Sequence, residues 1–316
     1  MINVLVTGGA GFIGSHTVER LLAQGSTVTV LDEFNDYYDP AIKRANVASF
    51  RDHARIVAGD LRDRPAVDRL FAEGKFDTVI HLAARAGVRP SIEDPALYLA
   101  TNINGTFHLL EAAKATGVPR FVFASSSSVY GINKKVPFAE TDRIEQTISP
   151  YAMTKMAGEQ MCSNYTNLYG IRSVCLRFFT VYGPRQRPDL AISKFTSLID
   201  QGLPVPRYGD GSTARDYTFI DDIVDGILAA AAYQGDLFDI FNLGGSQTTT
   251  LSGLIAAVET ALGKTALIQD LPLQPGDVPL TFADVAKAQR LLGYTPHTPI
   301  QEGIPKYVQW YRDRQK

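Results

Sequence analysis

Tyr151 and Lys155 stand four residues apart in Ser149-Pro150-Tyr151-Ala152-Met153-Thr154-Lys155, a spacing that sets them side by side on a helix. The segment is predicted helical: Pro150 suits the first helical position, Ser149 can cap the turn before it, and helical sequence continues to Tyr165. A free phenol with a pKa near 10 is ionised in only about one molecule in a thousand at neutral pH. An ammonium about 4 Å away contributes roughly 4 kcal/mol at an effective dielectric near 20, or about three pKa units, enough to make a base at pH 7. Alone, the pattern also describes a helix with a tyrosine at its core edge and a solvated lysine. The surrounding elements decide between the two.

Ile2 to Val6 is a continuous apolar run, as for a strand buried on both faces. Thr7-Gly8-Gly9-Ala10-Gly11-Phe12-Ile13-Gly14 follows, then helical periodicity from Ser15 to Gln24. The glycines fit Gly8-x-x-Gly11-x-x-Gly14 or Gly9-x-Gly11-x-x-Gly14. Either register brings backbone N–H groups and a helix N-terminus against a pyrophosphate. A second buried strand, Thr27 to Leu31, ends at Asp32. A carboxylate there accepts hydrogen bonds from adenosine ribose hydroxyls and repels a 2′-phosphate, so the expected cofactor is NAD rather than NADP.

The alternation continues. Strands are predicted at Arg55–Ala58, Thr78–Leu82, Arg120–Ala124 and Ser173–Arg177. Helices are predicted at Pro65–Phe71, Asp94–Thr116 and Tyr151–Tyr169. Such alternation specifies an α/β fold with a doubly wound, parallel, Rossmann-type sheet. Ligands sit at the carboxyl ends of its strands, which brings Asp32, Asp60-Leu61, Ala83-Ala84 and Ser125 to Ser128 to one crevice. His81, inside an apolar strand, reads as a core residue.

The 316 residues carry 31 basic and 33 acidic side chains, a near-neutral balance that argues against nucleic-acid binding. Cys162 and Cys175 fall in a predicted helix and strand and read as buried thiols, with no disulfide framework or metal site. No apolar run reaches membrane-spanning length, and the segment before the first motif is too short for a signal-peptide core. A cytoplasmic protein is expected.

Past Arg177 the pattern changes. Arg177 to Asp189 and Gly209 to Asp222 read as loops, with helices from Ile223 to Ala232, Leu251 to Leu262, Asp284 to Leu292 and Ile300 to Asp313. This part looks too interrupted for an independent sheet. The expected division is a cofactor domain over 1–177, with a return strand near 239–243, and an interleaved, smaller, mixed α/β substrate domain over 178–316.

The glycine motif, Asp60-Leu61, Leu82-Ala83-Ala84, Asn102, Ser125 to Gly131 and Tyr151-x-x-x-Lys155 together resemble the extended short-chain dehydrogenase/reductase family, end to end. The resemblance implies that Tyr151 is the base, that Lys155 lowers its pKa and holds the nicotinamide ribose, and that Ser126 hydrogen-bonds the reacting hydroxyl. It implies cofactor contacts from Gly8, Gly11, Phe12, Ile13, Gly14, Asp32, Asp60, Leu61, Leu82, Ala83, Ala84, Ser125 and Phe179, with Asn102 in a supporting role.

The second half is similar to nucleotide-sugar 4-epimerases, which implies Arg215 and Asp277 on the nucleotide diphosphate and ribose. Galactose-type members commonly carry Arg-Tyr-Phe-Asn where this chain has Arg177-Phe178-Phe179-Thr180, and an Arg where it has Gln274. The run Arg177 to Asp189, with Ala86-Gly87-Val88-Arg89, resembles UDP-glucuronate 4-epimerases instead. That implies Thr180, Arg187, Ser127 and Ser128 around a sugar carboxylate, with Arg89 on the substrate. The alternatives are a UDP-glucose/UDP-galactose 4-epimerase, a UDP-glucuronate decarboxylase, and, from another class, a non-enzymatic NAD-binding regulator. The family further implies a homodimer through the helices beginning near Asp94 and Tyr151.

Overall fold

The computed structural model describes residues 2–272 and 278–315. Its strands in chain order are β1 (Asn3–Thr7), β2 (Thr27–Asp32), β3 (Arg55–Ala58), β4 (Thr78–His81), β5 (Arg120–Ser126), β6 (Arg172–Phe178), β7 (Thr180–Tyr182), β8 (Pro204–Tyr208), β9 (Ala214–Phe219), β10 (Phe238–Leu243), β11 (Thr248–Thr250) and β12 (Leu267–Leu271). Seven of them form one sheet in the order β10-β6-β5-β4-β1-β2-β3, and every pairing is parallel. Successive strand residues face opposite sides, so Val4 and Val6 enter one hydrophobic core while Leu5 enters the other. Strands buried on both faces need continuous apolar sequence, which these have. The winding direction reverses between β1 and β4, and a crevice opens there at the carboxyl ends of the strands.

The helix Pro150–Tyr169 begins as its sequence requires: the Ser149 hydroxyl accepts from the Ala152 N–H at 3.1 Å. It ends at Gly170, whose φ of 71° is a left-handed cap open to glycine. The expected long helix over 94–116 is interrupted. It runs as Pro95–Tyr98, a π-helical segment Leu99–Asn104, and Gly105–Thr116. The wider turn sets Asn102, whose side chain accepts from the Arg85 N–H at 2.8 Å and donates to the Arg85 carbonyl at 2.9 Å, pinning the loop after β4. Three helices are not anticipated from the sequence: Pro40–Val47, Val88–Glu93 and Ala191–Asp200.

The second half also departs from expectation. It contains two small sheets rather than none, β11-β9-β7 and β12-β8. Their strands are short and joined by irregular segments, so local periodicity is weak; pairing across the fold creates them. β10 returns to the edge of the large sheet beside β6. Among the described residues no helix is long and apolar enough to cross a membrane.

Candidate active site

The crevice has a volume of about 360 Å³ and is lined from both halves of the chain. Its floor is the glycine turn. Gly8 has φ of 73°, and a Cβ there would stand 2.8 Å from the Ala83 nitrogen; a Cβ on Gly14 would fall onto the Gly8 carbonyl oxygen. The backbone is thus bared at the N-terminus of the helix Phe12–Ala23, where an anion is favoured.

Asp32 is buried at the end of β2. Its carboxylate accepts from the Ala10 N–H at 3.1 Å, the Phe34 N–H at 2.9 Å and the Lys43 ammonium at 3.0 Å. Lys43 is absent from the sequence reading. It rides on the helix Pro40–Val47, whose readable signal is Asp39-Pro40: the Asp39 side chain caps the Ala41 N–H at 2.9 Å. Glu33, Tyr37, Tyr38, Arg85 and Thr101 likewise line the crevice unanticipated.

At the other end stand Ser126, Tyr151 and Lys155. Ser126 hydrogen-bonds the Tyr151 hydroxyl and reaches the Ser128 hydroxyl at 3.1 Å. The electrostatics correct the expectation from spacing. Burial pushes the Tyr151 phenol above its ordinary pKa, opposed by the Ser126 hydrogen bond and the Arg187 charge. Lys155 is held by the neighbouring strand. Its ammonium donates to the Ala124 carbonyl at 2.6 Å and lies 5.9 Å from the centre of the Tyr151 ring. Burial brings Lys155 itself down to about 8, with Glu159 opposing.

Beneath this pair lies a buried ionic couple. Arg177 donates to Glu159 at 2.9 and 2.8 Å, and the Ser125 hydroxyl donates to the same carboxylate at 2.5 Å. The Arg177 guanidinium packs over the Tyr130 ring at 4.8 Å, and Tyr130 donates to Asn242 of β10 at 2.7 Å. The couple locks the end of β5, the Tyr151 helix and β6 together. His81 is a core residue. Its ring sits between the hydroxyls of Thr7, at 2.7 Å, and Thr106, at 2.9 Å, and burial lowers its pKa to about 3. The two cysteines are free and buried.

The expected cofactor residues Gly8, Gly11, Phe12, Ile13, Gly14, Asp32, Asp60, Leu61, Leu82, Ala83, Ala84, Ser125 and Phe179 line the crevice, together with Thr180 and Arg187. Asn102 supports the wall from behind. Four expected substrate residues lie off the wall. Ser127 and Ser128 are on the short turn Ser127–Tyr130, and the Arg89 guanidinium is 5.6 Å from the Tyr208 ring. Arg215, on β9, donates to the Ala214 carbonyl at 2.9 Å. Asp277 and Gln274 fall outside the described residues.

The donor set fits a dinucleotide. The glycine cradle leaves no room for a Cβ at Gly8 or Gly14. Thr101 Oγ1 and Arg85 Nε, both on residues of the wall, are buried with no partner. A parallel doubly wound sheet with a glycine cradle and a Ser/Tyr/Lys group at its strand ends defines a Rossmann-type, dinucleotide-binding class of protein. Residues 4–244 match the NAD dependent epimerase/dehydratase family, and the chain belongs to it.

Within that family the chain is 45% identical to UDP-glucuronate 4-epimerase 4 of Arabidopsis thaliana over 329 residues, covering 98% of this chain and 75% of that protein. The crystal structure of UDP-glucuronic acid 4-epimerase from Bacillus cereus, in complex with UDP-glucuronic acid and NAD, matches with a TM-score of 0.92 at 34% identity, covering 98% and 99% of the two chains. UDP-glucose 4-epimerase from Thermotoga maritima, with UDP-glucose, matches with a TM-score of 0.93 at 34% identity over the whole of both chains.

Proposed function

We propose that this protein is an isomerase that interconverts UDP-glucuronate and UDP-galacturonate by inverting C4. One observation carries the reading: Thr180 and Arg187, a hydroxyl and a cation suited to a carboxylate, share one crevice with Ser126, Tyr151 and Lys155. Gly8, Gly11, Gly14 and the helix N-terminus would hold the pyrophosphate of NAD, and Asp32 and Lys43 its adenosine ribose. When bound, NAD supplies the hydride acceptor at C4 and gives the hydride back.

The chain's own residues do the rest. Tyr151 accepts the proton of the 4-hydroxyl, and Ser126 orients that hydroxyl through the hydrogen bond it already makes to the phenol. Burial favours the neutral phenol of Tyr151. Ionising it requires cations directed at its oxygen; Arg187 already acts in that direction, and Lys155 would do so on leaving Ala124. After oxidation the sugar is a β-keto acid prone to lose CO₂, and groups gripping its carboxylate keep the scissile bond out of alignment. A neutral-sugar 4-epimerase is the second reading, favoured by the existing Arg187–Asp189 pair, which has 2.9 and 2.8 Å contacts.

Incubation with UDP-glucuronate or UDP-glucose, without added NAD, followed by NMR, tests the proposal. The C4 epimer of the uronate is expected; CO₂ release would mark a decarboxylase, and turnover of UDP-glucose alone a neutral-sugar enzyme. Free, buried thiols and the absence of disulfide pairing among the described cysteines suit a cytoplasmic setting. A homodimer suits the apolar side chains of Leu99, Phe107 and Met153, which are about two-fifths exposed on the two helical stretches 95–116 and 150–169.

A further inference from the structure

Arg187 is not simply a cation at the mouth of the crevice. Its guanidinium lies 5.4 Å over the ring of Tyr37, which comes from the loop after β2 on the cofactor side. Its Nε and Nη2 donate to the Asp189 carboxylate at 2.9 and 2.8 Å. Those two bonds occupy one edge of the planar fork and leave the terminal edge, with the N–H groups of Nη1 and the second of Nη2, for a ligand. Bidentate recognition of a carboxylate depends on the plane of the fork, and a ring packed against its face fixes that plane.

Tyr37 is itself anchored. Its hydroxyl donates to the Ala86 carbonyl at 3.2 Å, sharing that acceptor with Tyr98 at 2.8 Å. The Tyr98 ring meets the Tyr151 ring edge-on, with centroids 6.3 Å apart. Tyr37 and Arg187 both line the crevice, and both sit in loops with a strained non-glycine residue, Phe34 at φ of 50° and Arg185 at φ of 66°. Strain of this kind persists only where the surroundings impose it.

We propose that Tyr37 is a specificity-setting positioning residue: its ring holds the Arg187 fork so that the free edge meets the carboxylate of a uronate sugar. The inference rests on the uronate reading and deepens it. A neutral sugar offers no carboxylate, so the ring matters for one substrate and not the other.

The test uses the full chain as purified, with Tyr37→Leu and Tyr37→Phe. Thermal unfolding and bound-NAD content serve as checks that the fold and cofactor site are intact. KM and kcat are measured for UDP-glucuronate and UDP-glucose, with binding of each sugar nucleotide by calorimetry. Tyr37→Leu is expected to raise KM and Kd for UDP-glucuronate roughly three- to thirtyfold, the range of a face-on cation–ring contact. The loss for UDP-glucose should be at least severalfold smaller than the loss for UDP-glucuronate. Tyr37→Phe, which keeps the ring, should stay close to the parent for both. Three outcomes would overturn the proposal: no change in Tyr37→Leu, equal loss for both sugars, or a Tyr37→Phe effect as large as that of Tyr37→Leu. If the unsubstituted enzyme does not turn over UDP-glucuronate at all, the functional reading fails first, and that result is distinct from the other three.

Discussion

Glu159 gives the sharpest test of how this site works. It lies one helical turn beyond Lys155, paired with Arg177 and out of direct contact with the reacting groups in the proposed mechanism. Lys155 can act as a cation on the phenol only while it is an ammonium. With a pKa near 8, about nine-tenths of it is charged at pH 7. Side chains one turn apart are separated by about 6 Å. A carboxylate at that range and an effective dielectric near 20 is worth about 2.8 kcal/mol, or roughly two pKa units. Glu159→Gln should therefore move the alkaline limb of kcat/KM about two pH units toward acid. Activity at pH 7 should fall about tenfold and recover as the buffer is acidified. The substitution also leaves Arg177 buried and unpaired, at a cost of about 3–5 kcal/mol. The double variant Glu159→Gln/Arg177→Met separates the two effects, because stability returns while part of the acid shift remains. A pH–rate profile from 5 to 10 on all three proteins decides it. An alkaline limb at the same pH in parent and Glu159→Gln would refute the reasoning, whatever happens to stability.

Tyr151→Phe should lower kcat at least about a hundredfold, the usual contribution of a positioned base, with bound NAD and the unfolding midpoint unchanged; near-parental turnover would exclude the assignment. Gly14→Ala drives a methyl into the Gly8 carbonyl, an overpacking worth about 1–3 kcal/mol, and should strip NAD during gel filtration. His81 is buried neutral with a pKa near 3, so below pH 6.5 the unfolded chain binds the proton that the folded chain refuses. Stability is lost as pH falls from about 6 to 4. His81→Asn removes that loss, and its deficit relative to the parent should shrink by about 1.4 kcal/mol per pH unit across this window, read from urea unfolding. Asp216, raised by burial to about 6, works in the opposite sense: its folded form holds a proton that the unfolded form releases, so stability is lost as pH rises through about 6. Asp216→Asn should flatten that loss.

The large sheet and the dinucleotide cradle were legible in the sequence because their causes are local. Val4 to Val6 are apolar on both sides, and Gly8 and Gly14 stand where the backbone must fold tightly. Ser149-Pro150 starts a helix that places Tyr151 and Lys155 on one face. Those features depend on steric fit and periodicity over a few residues, which a sequence carries openly. What the tertiary structure alone decided is where charge goes. The spacing of Tyr151 and Lys155 suggests an ammonium aimed at a phenol; the fold buries that ammonium against the Ala124 carbonyl and sets the phenol in the crevice wall. Lys43 reaches Asp32, and Tyr37 reaches Arg187 from a loop 150 positions away in the chain. Small sheets formed where the sequence pattern promised none. Burial, dielectric and long-range pairing belong to the packed chain as a whole, so no window of sequence contains them.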